Sequence, residues 1–139
     1  YFQEFNACGG RVKYDWGRRV DEAVEKTRKK VLDYVGKSSH EYGVAFTLNT
    51  TYGLNLLLSQ LPVGAYQQIV TSDIEHNSVF LPTLAAAKRL ALPRRIISRK
   101  EDGSLAYRTE DLSGAIVVVN VASNIDGRVL GTVRLLAGC

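Results

Sequence analysis

Residues Ala115 to Val121 are apolar at six of seven positions and β-branched at five. Such a run has no polar face to turn to water. It predicts a strand buried on both sides, which a mostly parallel sheet covered by helices provides. The rest of the chain agrees in its rhythm. From Arg18, residues Val20, Val24, Thr27, Val31 and Tyr34-Val35 recur at helical steps, with Glu22, Lys26, Lys29 and Lys30 on the other face. Gly36 stands where a helix stops. Gly43 to Thr47 reads as a short strand, and Thr50 to Leu61 as a helix ended by Pro62-Val63-Gly64. Gln68 to Thr71 is a brief strand. A helix from Asn77 to Leu90 follows, with Pro82 kinking or delaying it. Arg95 to Ser98 is a further strand, and Glu101 to Ser104 a turn. A loop at Ser123 to Arg128 and a short last helix close the pattern. The expected organisation is one α/β segment: irregular entry over 1–15, a helix over 16–36, and alternating strands and helices over 43–139.

Composition narrows the function classes. With 139 residues, 45% hydrophobic and 23% charged, the chain has the makings of a globular core. The apolar runs are too short for a membrane span, and no export signal opens the chain, so the expected setting is cytoplasmic. Eighteen basic residues against fourteen acidic ones give a net charge of +4, scattered in short clusters such as Arg18-Arg19 and Arg94-Arg95. No long basic run with interleaved aromatics points to nucleic acid. A mild positive field suits a small anionic ligand. Cys8 and Cys139 lie far apart without metal-ligand spacing, so no metal is expected.

In an open parallel sheet, ligands sit where strands end and loops lead into helices. Three such places hold polar residues. Asn49-Thr50-Thr51 offers two hydroxyls and the amides of a helix start, a donor set for phosphate. The plainer reading is that Thr50 or Thr51 caps the helix. His76 begins the next helix beside the capping candidates Asn77 and Ser78; at a sheet edge it can also stack on a planar ligand or move a proton. Asn124 is a turn residue ahead of Gly127, or an amide aimed at a polar ligand atom. Gly36-Lys37-Ser38 lacks the first glycine of a nucleotide-binding loop and follows a helix.

Taken together, the three loops resemble the class V aminotransferase group of pyridoxal-phosphate enzymes, especially its cysteine desulfurase and selenocysteine lyase branch. The family's T-x-G-T-T-E-x-x-N stretch stands here as Thr47 to Asn55. Its E-H-x-S/A-x-x-x-P stretch stands as Glu75 to Pro82, and its H-V-S-N-x-x-G as Val121 to Gly127. The resemblance implies part of the large domain of a fold-type I pyridoxal-phosphate-dependent transferase. By it, Thr50 and Thr51 hold the cofactor phosphate, His76 stacks on the pyridine ring and assists proton transfer, and Asn124 hydrogen-bonds the phenolic oxygen. It also implies a homodimer, and an amino-acid substrate such as cysteine, taken as an external aldimine.

Departures from the family pattern are Asn49 for glycine, Tyr52 for glutamate and Val121 for histidine. The family's covalent lysine lies in an S-x-H-K setting, and none of the seven lysines here (13, 26, 29, 30, 37, 88 and 100) has it. The resemblance therefore implies an amino-terminal portion that is inactive by itself. Two other readings stay open: an α/β module that binds a phosphorylated small ligand, or a half that pairs with a separately encoded remainder.

Overall fold

The computed structural model describes residues 7, 9, 10 and 14–129. Most of the irregular entry, both cysteines and the expected last helix lie outside them. The chain divides into two compact units, residues 1–46 and 47–139.

In the first unit, helix α1 spans Asp15–Tyr34. It ends as the sequence predicts. Gly36 takes φ +66°, its N–H reaches the Asp33 carbonyl, and the Lys37 N–H reaches that of Leu32 at 2.9 Å. These two bonds satisfy carbonyls the last turn leaves open, and the positive φ is why glycine fits there. Leu32 is buried, whereas Val31, Tyr34 and Val35 of the apolar stripe are exposed within this chain.

The second unit runs helix α2 (Thr50–Ser59), strand β1 (Gln68–Ser72), helix α3 (Asn77–Leu90), strand β2 (Arg94–Ile97), a single 3-10 turn (Thr109–Leu112) and strand β3 (Ala115–Val117). The sheet is parallel in the order β2-β1-β3, with Ile69 beside Arg94 and Ile116. Strand β1, the central strand, carries the core. Ile69 packs with Leu58, Ala86 and Ala87 on the helix-covered face. Val70 packs with Ile97 and Leu105 on the other. Full burial of such side chains is worth about 1.5–3 kcal/mol each.

Three expectations need correction. Gly43 to Thr47 is not a strand: it is irregular and mostly exposed, and it joins no ladder among the described residues, without which so short a segment gains nothing from extension. Strand β3 covers Ala115–Val117 rather than Ala115 to Val121, and its residues are half-buried within this chain. Its pairing continues only through the Val118 N–H to the Val70 carbonyl, 2.9 Å. Beyond that point β1 turns away at Asp73-Ile74. Helix α3 is not delayed by Pro82, which lies inside it and is buried.

Candidate functional site

The three loops singled out in the sequence converge on one edge of the sheet. Strands β1 and β3 are parallel neighbours, so the loops after them, holding His76 and Asn124, leave the same carboxyl edge. Helix α2 reaches that edge through its packing on α3. Its residues Asn55, Leu58 and Ser59 share a groove with Pro82, Ala85, Ala86 and Arg89. Arg89 Nη2 donates to the carbonyls of Leu58 at 2.8 Å and Leu61 at 3.0 Å. The later residues of one helix meet the later residues of the other, so the two run in the same direction. Because α3 starts from the carboxyl edge, α2 starts there too.

At the start of α2 the capping is done by neither threonine. Asn49 is the cap, its Oδ1 accepting the Tyr52 N–H at 2.8 Å. Thr50 and Thr51 are exposed, and among the described residues their hydroxyls make no hydrogen bond. Their amides, first in the helix, have no acceptor within it. The result is two hydroxyls and two amides at the positive end of a helix dipole, a donor set fitted to an anion. Gly53 keeps this turn tight: a Cβ there would meet the Thr47 hydroxyl at 3.0 Å. That hydroxyl donates to the Asn49 carbonyl at 3.2 Å.

At the start of α3 the cap is His76 itself, not Asn77 or Ser78. Its Nδ1 accepts the Ser78 N–H at 3.1 Å and lies 2.9 Å from the Ser78 hydroxyl. An Nδ1 that accepts a backbone N–H leaves the proton of the neutral ring on Nε2. The exposed imidazole is thus fixed in orientation by the helix it begins, with Nε2–H free to act.

Asn124 sits in a closed turn. The Gly127 N–H reaches the Ser123 carbonyl and the Ser123 N–H the Arg128 carbonyl, both at 2.9 Å, and Gly127 takes φ +69°. The Asn124 side chain is exposed and makes no hydrogen bond among the described residues, so its amide is available.

Polar ties not anticipated from the sequence join these loops. The Glu75 carboxylate accepts the Asn120 N–H through both oxygens, at 3.1 and 3.0 Å. Arg99 Nη1 pairs with Asp126 at 2.9 Å, while the Arg99 N–H donates to the Asp73 carboxylate at 3.2 Å. Partial burial pushes the Asp126 carboxyl up, but hydrogen bonds from the Arg128 N–H and the Ser123 hydroxyl, with the Arg99 charge, hold it below its ordinary range. Glu75 and Asn120 are 45 positions apart; no local pattern could have paired them, although Glu75 stands inside a motif already noted. Among the described residues, no three His, Cys, Asp or Glu side chains gather to hold a metal ion. No helix there is long and apolar enough to cross a membrane.

Comparison with known proteins identifies the family and the fold. Residues 1–137 match the family model of aminotransferase class V. A probable cysteine desulfurase of Methanothermobacter thermautotrophicus is 33% identical over 138 residues, covering 96% of this chain and 33% of its own. The apo structure of a cysteine desulfurase from Thermococcus onnurineus NA1 matches with a TM-score of 0.74 at 28% identity, over 95% of this chain and 34% of that one. A C-DES mutant with glycine covalently linked to its pyridoxal-phosphate cofactor shares the fold, with a TM-score of 0.70 at 17% identity, over 94% of this chain and 35% of its own. The chain spans about a third of the length of these relatives.

Proposed function

The chain belongs to the aminotransferase class-V family, and on that premise we propose that it supplies the phosphate- and ring-holding side of a pyridoxal-phosphate site of the cysteine desulfurase type. One observation carries the reading: two threonines without a capping duty begin a helix on the same sheet edge as a fixed imidazole and a free amide. The donor set fits the cofactor. Thr50 and Thr51 would hold its phosphate by charge-assisted hydrogen bonds. The His76 ring would stack on the pyridine, and its Nε2–H would hold or deliver a proton. The Asn124 amide would donate to the phenolic oxygen. When bound, pyridoxal phosphate acts as the electron sink for reactions of an amino acid.

The substrate we assign is an amino acid such as cysteine, following the relatives' activity. A homodimer and a cytoplasmic setting go with the same reading. None of the seven lysines stands in an S-x-H-K setting, so these 139 residues by themselves hold the cofactor without turnover. Borohydride reduction after adding pyridoxal phosphate, followed by mass spectrometry, is expected to leave no stoichiometric adduct on one lysine; such an adduct would overturn the claim of inactivity.

The holding role is tested by absorbance titration with pyridoxal phosphate. Thr51→Ala should weaken binding about tenfold, the weight of one charge-assisted hydrogen bond. Unchanged affinity would remove the phosphate role. The free threonines equally favour a second reading, a module for a phosphorylated small ligand. Binding of inorganic phosphate as tight as that of pyridoxal phosphate would favour that module.

A further inference from the structure

We infer that Glu75 is a positioning residue that sets the turn bearing Asn124 in register with the loop bearing His76. The purpose of that register rests on the functional reading above; its existence rests on the geometry alone.

The ladder between β1 and β3 ends at the bond from the Val118 N–H to the Val70 carbonyl, 2.9 Å. Alternate residues of a strand present their amides to the same neighbour, so the next amide facing β1 belongs to Asn120. A continued ladder would give it the Ser72 carbonyl. Here it goes to the Glu75 carboxylate, at 3.1 and 3.0 Å. The side chain therefore extends the sheet past the point where the backbone leaves it. Its Oε1 also accepts the Ser72 hydroxyl at 2.6 Å, and Ser72 is buried. One end of the tie is thus anchored in the central strand, and the other grips the backbone of a different segment. A half-buried carboxylate holding two donors, one of them shared between its oxygens, makes a stiff connection.

Both site residues hang from this tie. Glu75 directly precedes His76, whose ring is bound into the cap of α3. Asn120 lies four residues before Asn124, and the turn from Ser123 to Arg128 is closed by its own hydrogen bonds. A shift of Asn120 carries the turn with it. The ion pair between Arg99 and Asp126 supports the turn from its other side, but the Asp126 side chain is 36% exposed. Screening by solvent makes that support the weaker of the two.

The test compares wild type, Glu75→Ala and Glu75→Gln, with Asp102→Ala as a carboxylate deletion in a different turn. Two readouts are needed: hydrogen–deuterium exchange over residues 118–127, and titration with pyridoxal phosphate that records both dissociation constant and bound absorption spectrum. In Glu75→Ala, exchange should quicken about tenfold, as expected for one lost hydrogen bond to a charged group. The dissociation constant should rise by a similar factor, and the bound spectrum should shift because Asn124 no longer meets the phenolic oxygen. Glu75→Gln keeps an acceptor oxygen and should recover part of each change. Asp102→Ala should alter neither.

Unchanged exchange over 118–127 in both Glu75 variants would overturn the inference. So would faster exchange with cofactor affinity and spectrum intact. Should wild type fail to bind pyridoxal phosphate, the functional reading falls, and exchange alone decides the register. If Glu75→Ala does not fold, Glu75→Gln gives the same decision from a smaller change.

Discussion

The two helix starts at the sheet's carboxyl edge solve one problem in opposite ways. Both leave backbone N–H groups that need acceptors. In α2 the duty falls on Asn49, outside the helix, and the two threonines that follow keep their hydroxyls. In α3 the duty falls on His76, which spends Nδ1 on the cap and keeps Nε2. The first arrangement separates structure from ligand holding. The second fuses them, so the helix itself orients the ring. Substitutions should therefore dissociate stability from binding at α2 and couple them at α3.

The largest combined effect on stability and binding is expected at the fused end. His76→Ala should cost about 1 kcal/mol of stability as a lost cap, and should weaken pyridoxal-phosphate binding about three- to tenfold through the lost ring contact. His76→Asn restores a good capping residue without the ring. It should recover the melting temperature and leave the binding loss in place. Recovery of both by asparagine would show that the imidazole acts only as a cap.

At α2 the matching change is Asn49→Ala, expected to cost about 1 kcal/mol in denaturant unfolding. A threonine hydroxyl recruited as the substitute cap should then lower ligand affinity as well. Asn49→Asp sharpens the contrast: the cap survives, while a new negative charge beside the phosphate donors opposes an anion. Stability should hold and binding should fall. Loss of stability without loss of affinity in Asn49→Ala would mean that the threonines never enter the cap.

The smallest effect lies away from both starts. The Asp111 carboxylate accepts hydrogen bonds from Arg95 Nη1 at 2.9 Å and from the Arg108 N–H at 3.2 Å. Led by the Arg95 bond, these hold it well below the ordinary carboxylate value of 3.8. A carboxyl whose folded pKa is depressed contributes stability above its unfolded value, and that contribution fades as pH falls through the folded one. Acid titration of stability should thus show a loss below about pH 3.8 in wild type that is shallower in Asp111→Asn. Equal slopes would remove this ion pair from the acid response.

Much of this was legible in the sequence, for local reasons. The helix ending at Gly36, the helices starting near Thr50 and Asn77, and the strand at Gln68 follow from spacing and stop signals. The three loop motifs carry the resemblance to the family, which the family match bears out, and they name the candidate site residues. Two kinds of feature stayed hidden. Which of several adjacent polar residues caps a helix depends on backbone angles; residue type ranks Asn49 above Thr50 and Thr51 but gives no sign of His76 in place of Asn77 or Ser78. Long-range ties were invisible as well. The strand expected over Ala115 to Val121 stops at Val117 because its neighbour turns away and a glutamate 45 positions earlier takes the Asn120 amide. The strand expected at Gly43 had the composition but no ladder partner among the described residues.

The central claim is that the start of α2 holds a phosphate through residues that do no structural work. Its most direct test is to titrate wild type and the double variant Thr50→Ala/Thr51→Ala with pyridoxal phosphate and with pyridoxal, which lacks the phosphate. Wild type should prefer the phosphorylated form. In the double variant that preference should collapse by about tenfold or more, by the weight of charge-assisted hydrogen bonds, with no change in melting temperature. An equal preference in both proteins would contradict the account.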